Sequence, residues 1–556
     1  MSDATLVPPD TSTEEPTPDD SSDPTASIDS SDATEVAEAD EPEAAEPVTP
    51  LDDVVEVGRP RRRLGALWYA LAFTVGALLA AFVFSWTLTT GSLDFERRVP
   101  FADNFYDVQA RRLFDGHWDM PLRVVSVEGY KHDGKLYMYF GPVPAFLRMP
   151  VLALSDVGNG ELTRVWMVAG FAVAMTALGG LGWRIRRFAR GDAPFRWVEA
   201  IAVAIGAFAI GVGSTLLYLG SGPWVYHEAI LWGIAFALAA FDAILAWIQR
   251  PRWWVLGLAA LFTAMAVGSR LTVALGPVVA LGGLSGFVLI SRVWPWVRRQ
   301  VAPRVGLGPE AITLPGGLAL GVASVTPIAL YAWLNNMKFG TWFSVPYDHQ
   351  ILNRLQKNRP QILAANDNTL FRLDAIPTAL NQYFRPDAIG FRSEFPWIQL
   401  PTWKPTIFDG LLYDHLDRTS SVPASMPLLL GLALVGLGVV VFARRRRERS
   451  TLAALRVPML AAAVAVVPSL AFIFLTQRYM GDIIPLLVLG ALAGFFAFVA
   501  WASRRRGWMR IPVVLAGVAM LALATFSALA NYGMARDWQR EHVPPEQIFA
   551  EDREWR

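Results

Sequence analysis

Cysteine is absent from this sequence of 556 residues. Its absence excludes disulfide bonds, thiolate metal sites and a cysteine nucleophile. Lysine is scarce, since only five of the 49 basic residues are lysine and the others are arginine. The sequence also lacks a P-loop and a dinucleotide-binding fingerprint, so no nucleotide site is indicated.

Apolar side chains, in contrast, are abundant. They make up 53% of the residues, tryptophan occurs 21 times, and the mean hydropathy is +0.34. Such a chain is too long and too apolar for one ordinary soluble core. A bilayer core of about 30 Å takes roughly 20 apolar residues per helix. We therefore predict an all-α polytopic membrane protein with about 11 transmembrane helices, at 65–88, 164–183, 196–219, 229–248, 253–269, 271–290, 312–333, 424–443, 452–475, 483–502 and 511–530.

Residues 1–57 have a different composition, dominated by Asp, Glu, Pro, Ser and Thr. So few apolar side chains do not offset the entropy cost of ordering the chain. The segment has no basic start followed by an apolar core, so no signal peptide is predicted in it. We predict a disordered acidic arm on the cytoplasmic side.

Arginine clusters set the predicted orientation. They precede the first span and then follow every second one, as "RIRRFAR", "QRPR", "RVWPWVRRQ", "RRRRER" and "RRRGWMR". Basic connections stay in the cytoplasm, so the transmembrane domain 58–530 exposes outer loops 89–163 and 334–423, and the tail 531–556 lies outside. The short apolar segment "PVPAFLRMPVLAL" is predicted to be interfacial or re-entrant. All six histidines then fall outside, so any chemistry faces away from the cytoplasm. The Ala-, Arg- and Val-rich, Lys-poor composition is typical of a GC-rich bacterium. We therefore predict a location in the bacterial plasma membrane.

The first outer loop begins with "PFADNFYDVQARRLFDGHWDMP". Tyr106, Ala110 and Leu113 recur at helical spacing, which predicts a short amphipathic helix lying on the membrane surface. Asp133-Gly134 predicts a β-hairpin in the following segment. The loop is therefore expected to fold as a small domain.

Two acidic features of the outer side have two readings each. Asp103 sits at a helix N-cap position, or it is a carboxylate at the mouth of a cleft that accepts a proton from a hydroxyl. His227 and Glu228 begin a helix, where Glu228 meets the positive end of the helix dipole, or they contact a ligand.

Arginines near the hydrocarbon region indicate an anion. Arg270 is a lone charge between two apolar runs, and such a residue pairs with an anion or reaches toward the surface. In "FLTQRYMGDIIPLLVL", Arg478 and Asp482 either pair with one another, or Arg478 binds phosphate. Tyr347, Asp348 and His349 in the second outer loop form a weaker candidate site.

Together these segments resemble the GT-C superfamily of integral membrane glycosyltransferases, in particular the branch with protein O-mannosyltransferases and bacterial aminoarabinose transferases. The resemblance rests on the acidic loop "DNFYDVQARRLFDGHWDMP" with the following "YFGPVPAFLRMPVLAL", on "MAVGSRLTVALG", and on "QRYMGDIIPLLVLG". The chain departs from many relatives in having Asp103 followed by Asn104 instead of a second acidic residue. The base is therefore Asp103 or Asp107, and a divalent metal is not supported.

The resemblance implies an inverting transfer of a sugar from a polyprenyl-phosphate donor to a hydroxyl of a glycan, lipid or protein acceptor, with membrane lipids but no nucleic acid as partners and no cofactor. It implies a catalytic role for Asp103 or Asp107 and donor-phosphate binding by Arg270, Arg478 and Tyr479. The implied substrate-binding residues are Tyr106, His227, Glu228, Tyr347, Asp348, His349 and Asp482. A lipid-linked glycan transporter or flippase, or a non-catalytic envelope-assembly protein, is the alternative.

Overall fold

The computed structural model describes residues 52–98, 103–155, 157–443 and 451–549, without the side chains of residues 52–63, 451 and 545. Its contacts divide the chain into the units Met1–Glu56 and Val57–Arg556. Residues 1–51 of the predicted acidic arm are not among the described residues, so the disorder of the arm stays a prediction. Every element below belongs to the second unit, apart from the first residues of one helix.

The described chain is all-α. Its helices are α1 Asp52–Leu88, α2 Phe105–Phe114, α3 Leu122–Val125, α4 Val143–Leu152, α5 Thr163–Arg190, α6 Trp197–Val212, α7 Thr215–Tyr218, α8 Val225–Gln249, α9 Trp253–Val267, α10 Leu271–Val293, α11 Pro295–Gln300, α12 Leu314–Phe339, α13 Leu352–Leu355, α14 Arg359–Ala365, α15 Ile376–Phe384, α16 Val422–Ser425, α17 Pro427–Val441, α18 Arg456–Leu470, α19 Ile484–Ala502 and α20 Ile511–His542. The strands are short: β1 Tyr130–His132, β2 Lys135–Tyr137, β3 Gly390–Phe391, β4 Ile398–Gln399, β5 His415–Leu416 and β6 Phe474–Leu475.

The helices agree with a multi-pass membrane protein. Among the described residues, 8 helices are long and apolar enough to cross a membrane, and the pair Trp197–Val212 and Thr215–Ser221, bent by 46°, makes a ninth if it is one span. The predicted spans 253–269 and 424–443 contain α9 and α17, which have 15 residues each. Helices of this length fall short of the roughly 20 residues that a bilayer core needs. The count of eleven spans therefore stays a prediction.

Helix α8 lies at the centre of the bundle. In its most apolar window 83% of the residues are buried, whereas the corresponding value for the last span is 17%. A helix that is apolar on all sides is expected in such a central position. Helices α5, α9 and α10 pack against α8, and together they form the main apolar core.

The first outer loop is folded, as predicted, around an apolar cluster that includes Phe105, Met120 and Phe140 together with Val225 and Ala229 of α8. The predicted hairpin is confirmed, because β1 and β2 pair antiparallel around Asp133-Gly134. The predicted surface position of the first helix is wrong. Residues 105–110 of α2 are all buried. The helix packs against α4 and contributes side chains to the apolar cluster, so none of its faces is exposed over these residues.

The two outer loops and the tail meet at one end of the bundle. Lys338, at the end of α12, donates to the carbonyl oxygens of Met138 and Phe140 in the first loop. At the other end of the chain, α20 continues to His542, twelve residues past the predicted end of the last span. There Asp537 pairs with Arg418 of the second loop at 2.9 Å. The tail thus lies at the same end of the bundle as the second outer loop, and its side of the membrane stays a prediction.

Candidate active site

A cavity of about 760 Å³ opens where the outer loops meet the ends of the central helices. Its walls come from residues 128–141 of the first loop, 226–229 of α8, 267–275 around the break between α9 and α10, 331–371 and 414 of α12 and the second loop, and 468–479 before α19. We call it the Arg270–Arg478 cavity, after two arginines in its wall. It gathers segments that lie hundreds of residues apart in the chain.

Arg270 reaches the cavity because the chain breaks between α9 and α10. It is the extended N-cap residue of α10, with φ −149° and ψ 104°. Its Nη2 lies 3.2 Å from Oδ2 of Asp482, and the same oxygen accepts hydrogen bonds from Thr272 at 2.9 Å and from Ser469. Asp482 therefore pairs with Arg270 and not with Arg478, so the predicted pair four residues apart is not formed. The carboxylate pairs with the Arg270 guanidinium and fixes its direction.

Arg478 has a different environment. It stands in the 3₁₀ turn Gln477–Ile483 before α19 and is only 9% exposed. Its guanidinium lies 4.7 Å from the ring centre of Tyr226 and 5.3 Å from those of Phe474 and Tyr479. Among the described residues no carboxylate lies within ion-pairing distance of Arg478, and its Nε has no hydrogen-bond partner there. A buried cation at a cavity wall with no carboxylate in direct contact favours an anionic ligand.

Aromatic side chains cover much of the rest of the wall. The guanidinium of Arg270 lies over the ring of Tyr479, 5.1 Å from the ring centre. The ring centres of Tyr347 and Tyr130 are 6.3 Å apart. Burial raises the pKa of Tyr139 and of Tyr347 above the ordinary tyrosine value. These phenols therefore stay neutral hydrogen-bonding groups at physiological pH. Aromatic faces with hydroxyl rims suit an amphipathic ligand such as a sugar on a lipid.

Glu128 is a carboxylate of this wall that the sequence analysis did not single out. It ends the 3₁₀ turn Ser126–Glu128, and one residue, Gly129, separates it from β1. Tyr226 donates its hydroxyl to Oε1 at 2.5 Å, and Gln350 donates its side-chain amide to Oε2 at 3.3 Å. The only signal in the sequence is a glutamate between the apolar run "VVSV" and an aromatic segment. That signal is weak, because both hydrogen-bond partners are far away in the chain.

A buried ion pair stands at the second-loop side of the cavity. Arg359 donates from Nε to Asp414 at 2.8 Å and from Nη1 to Asn353 at 2.7 Å, and both side chains of the ion pair are almost fully buried. The sequence analysis missed this pair too, since 55 residues separate its members.

Asp103 and Asp107 do not line the cavity. Asp107 is fully buried, and its two oxygens accept from Arg148 Nε at 2.5 Å and from the amide of Gly160 at 2.7 Å. Asp103 is 5% exposed, with Arg98 at 4.0 Å and its carbonyl bonded by Thr163. It is not the N-cap of α2, because that position belongs to Asn104. This placement gives a catalytic role of either aspartate no support, and that role stays a prediction.

Glu228 also forms an ion pair with Arg148. Its two oxygens accept from Nη1 and Nη2 of Arg148 at 2.6 and 2.8 Å, while the ring of Tyr106 lies 5.4 Å from the guanidinium. His227 is buried, with Nδ1 3.2 Å from the carbonyl oxygen of Gly222. None of Tyr106, His227 and Glu228 lines the cavity. Their predicted contact with substrate has no support in this geometry.

The candidate triplet of the second loop divides. Tyr347 lines the cavity, whereas Asp348 and His349 are 59% and 53% exposed beside one another. Of the predicted phosphate-binding residues, Arg270, Arg478 and Tyr479 all line it, and Asp482 reaches it through Arg270. Within the described ranges, no group of three or more His, Asp or Glu is arranged to hold a metal ion.

No protein-family model and no curated protein matches the sequence. Among solved structures, the apo oligosaccharyltransferase of Archaeoglobus fulgidus is similar at 14% identity and a TM-score of 0.46. The alignment covers 85% of this chain and 58% of the oligosaccharyltransferase chain. ArnT from Cupriavidus metallidurans bound to undecaprenyl phosphate aligns with 84% of this chain and 75% of its own, at 15% identity and a TM-score of 0.38. The chain thus spans less than two thirds of the oligosaccharyltransferase. At these identities and TM-scores the similarity assigns the chain to no reaction.

Proposed function

We propose that this protein is a membrane glycosyltransferase that moves a sugar from a polyprenyl-phosphate donor to an acceptor hydroxyl, outside the cytoplasm and with inversion at the anomeric carbon. The observation that carries the proposal is Arg478, a buried cation without a carboxylate partner in the wall of an aromatic cavity. A cation that no carboxylate contacts directly is suited to the phosphate of a donor.

The two arginines divide the work at the phosphate. Arg478 supplies the charge that the phosphate neutralises, and Arg270, held by Asp482 and Tyr479, offers its remaining N–H groups in a fixed direction. Guanidinium groups bind phosphate oxygens with charge-assisted hydrogen bonds of this kind. When the bond between the anomeric carbon and the phosphate oxygen breaks, its electron pair goes to that oxygen. Both cations then stabilise the leaving phosphate.

The acceptor completes the reaction. Its hydroxyl oxygen attacks the anomeric carbon from the face opposite the phosphate, while its proton passes to a base. The aromatic wall with Tyr130, Tyr139 and Tyr347 holds the sugar faces, and the apolar flank near Leu271 and Leu275 suits the first prenyl units.

Binding of undecaprenyl phosphate tests the donor site. We expect the purified full chain in lipid nanodiscs to bind undecaprenyl phosphate by native mass spectrometry, and Arg478→Met to weaken binding at least ~10-fold, because charged hydrogen bonds contribute about 1.5–3 kcal/mol each. Arg354→Met is the matched control, since Arg354 is an exposed arginine of the second loop outside the cavity wall. Equal binding by wild type and Arg478→Met would contradict the site.

Turnover tests the reaction. Wild type is given undecaprenyl-phosphate-linked glucose, mannose, galactose or arabinose with an envelope extract of the source organism as acceptor. We expect release of undecaprenyl phosphate and a glycoside of inverted configuration by NMR. A transporter of the same lipid would bind undecaprenyl phosphate but form no glycoside, so this assay separates the two classes.

A further inference from the structure

The carboxylates of the Arg270–Arg478 cavity differ in how they are compensated. Three of them line the wall within the described part of the chain: Glu128, Asp367 and Asp414. Asp414 pairs with Arg359 at 2.8 Å, and Asp367 pairs with Arg372 at 2.7 Å. The hydrogen bonds of Glu128 come instead from a phenol and an amide, the neutral groups of Tyr226 and Gln350.

This difference decides which carboxylate is able to accept a proton. A carboxylate in a direct ion pair with arginine is stabilised in its charged form and is a weak base. Hydrogen bonds from neutral donors also favour the charged form, but less than a direct ion pair does, so Glu128 keeps more of its basicity. Glu128 is therefore better suited as a proton acceptor than Asp367 or Asp414.

Burial strengthens this property. It raises the pKa of Glu128 above the ordinary glutamate value, against the smaller opposing effects of the Tyr226 hydrogen bond and of the charges of Arg478 and Arg359. The other titratable groups that face Glu128 are Asp414, Tyr130 and Tyr139. A raised pKa moves a carboxylate toward the operating pH, where general bases are most effective.

Glu128 is also close to the proposed leaving group. The hydroxyl of Tyr226 contacts Glu128 at 2.5 Å, and the ring of the same tyrosine stacks under Arg478, 4.7 Å from the guanidinium. One side chain thus separates the carboxylate from the phosphate-binding cation. An acceptor hydroxyl at Glu128 would face a sugar whose phosphate is held by Arg478.

We propose that Glu128 is the general base of the transfer, an inference that rests on the proposed function. The acceptor O–H bond breaks and its proton moves to the Glu128 carboxylate. The hydroxyl oxygen forms a bond to the anomeric carbon, and the bond from that carbon to the phosphate oxygen breaks. Tyr226 and Gln350 are positioning residues that hold the carboxylate toward the cavity.

The test compares Glu128→Gln with wild type in the turnover assay above. We expect kcat to fall at least ~100-fold, the usual size of a general-base contribution, while undecaprenyl phosphate binding and the thermal unfolding midpoint stay unchanged. Glu161→Gln is the matched control, because Glu161 belongs to the same loop, accepts from the amide of Gly158 at 2.8 Å and does not line the cavity.

The pH profile separates a base from a structural residue. The rate of wild type should fall as the pH drops through the raised pKa of Glu128, because a protonated carboxylate accepts no proton. Tyr226→Phe removes a hydrogen bond that lowers this pKa, so its acid limb should move to higher pH. Glu128→Asp should keep part of the rate and its acid limb.

Four outcomes would overturn the assignment. Undiminished kcat in Glu128→Gln excludes Glu128 as the base, and loss of kcat in Asp103→Asn with intact undecaprenyl phosphate binding would restore the prediction from the sequence. Loss of binding together with kcat in Glu128→Gln would make the residue structural. If wild type transfers no sugar from any donor, the proposed function itself fails, and the role of Glu128 fails with it.

Discussion

Single residues in this protein are defined by what pairs with them, as the arginines show. Arg270 and Arg148 each have carboxylate partners at hydrogen-bond distance, whereas Arg478 is surrounded by aromatic rings. The same residue type therefore pairs with buried carboxylates in the first loop and is the proposed phosphate-binding residue in the cavity. The difference lies in the partners, which come from distant segments.

The contribution of Arg148 to stability can be tested directly. This side chain is fully buried between Asp107 and Glu228, so Arg148→Met leaves two carboxylates without compensation. Breaking a buried pair in this way costs about 3–5 kcal/mol, and we expect a clearly lower midpoint of thermal unfolding in detergent. Arg123→Met, at an exposed position of the same loop, should unfold like wild type.

A second substitution checks the physical reason. Adding Glu228→Gln to Arg148→Met removes one of the unpaired charges, so part of the lost midpoint should return. An Arg148→Met protein that unfolds at the temperature of wild type would show that the ion pair contributes nothing to stability.

The sequence singled out both arginines of the cavity wall but not its carboxylate Glu128. An arginine beside hydrocarbon is costly wherever it points, so Arg270 and Arg478 stood out from local context alone. Glu128 did not, because its partners Tyr226 and Gln350 are 98 and 222 residues away. Asp103 and Asp107 were chosen as candidates because local sequence does not show their partners. Arg148, which binds Asp107, is 41 residues away in the chain.

At the scale of elements, the packing of α17 on α19 depends on missing side chains. A Cβ atom on Gly436 would lie 1.9 Å from the carbonyl oxygen of Gly490, and one on Gly494 would lie 2.1 Å from that of Leu432. Small residues allow membrane helices to approach this closely. The four-residue spacing of Gly490 and Gly494 is visible in the sequence, but the partner helix is not.

This contact predicts different results for two glycines of the same helix. Gly436→Ala should push α17 away from α19 and lower the unfolding midpoint, because overpacking costs about 1–3 kcal/mol. Gly438→Ala is the matched control, since nothing lies within 4 Å of a Cβ at that position. Equal midpoints of the two variants, measured in the same detergent, would mean that the helices do not approach as described.

At the scale of the whole molecule, the sequence predicted the class of fold because hydrophobic length is a local property. A run of apolar residues predicts a membrane helix without any knowledge of its packing partners. Helices α5, α8, α10 and α12 coincide with such runs. The position of α2 was predicted wrongly for the opposite reason. Its amphipathic pattern was compatible with a surface, and only the packing of α4 and the loop cluster around it shows that it is buried.

The orientation in the membrane remains a prediction, and the absence of cysteine makes it testable. Single substitutions Thr406→Cys, Ser503→Cys and Glu541→Cys place one thiol each at exposed positions of the second outer loop, of an arginine-rich connection and of the tail. Because arginine clusters stay in the cytoplasm, a membrane-impermeant maleimide should label Thr406→Cys and Glu541→Cys in intact cells. Ser503→Cys should react only after permeabilisation. The reverse pattern would place the Arg270–Arg478 cavity in the cytoplasm and exclude transfer outside it, whereas opposite labelling of Thr406→Cys and Glu541→Cys would contradict the pairing of Arg418 with Asp537 and Glu541.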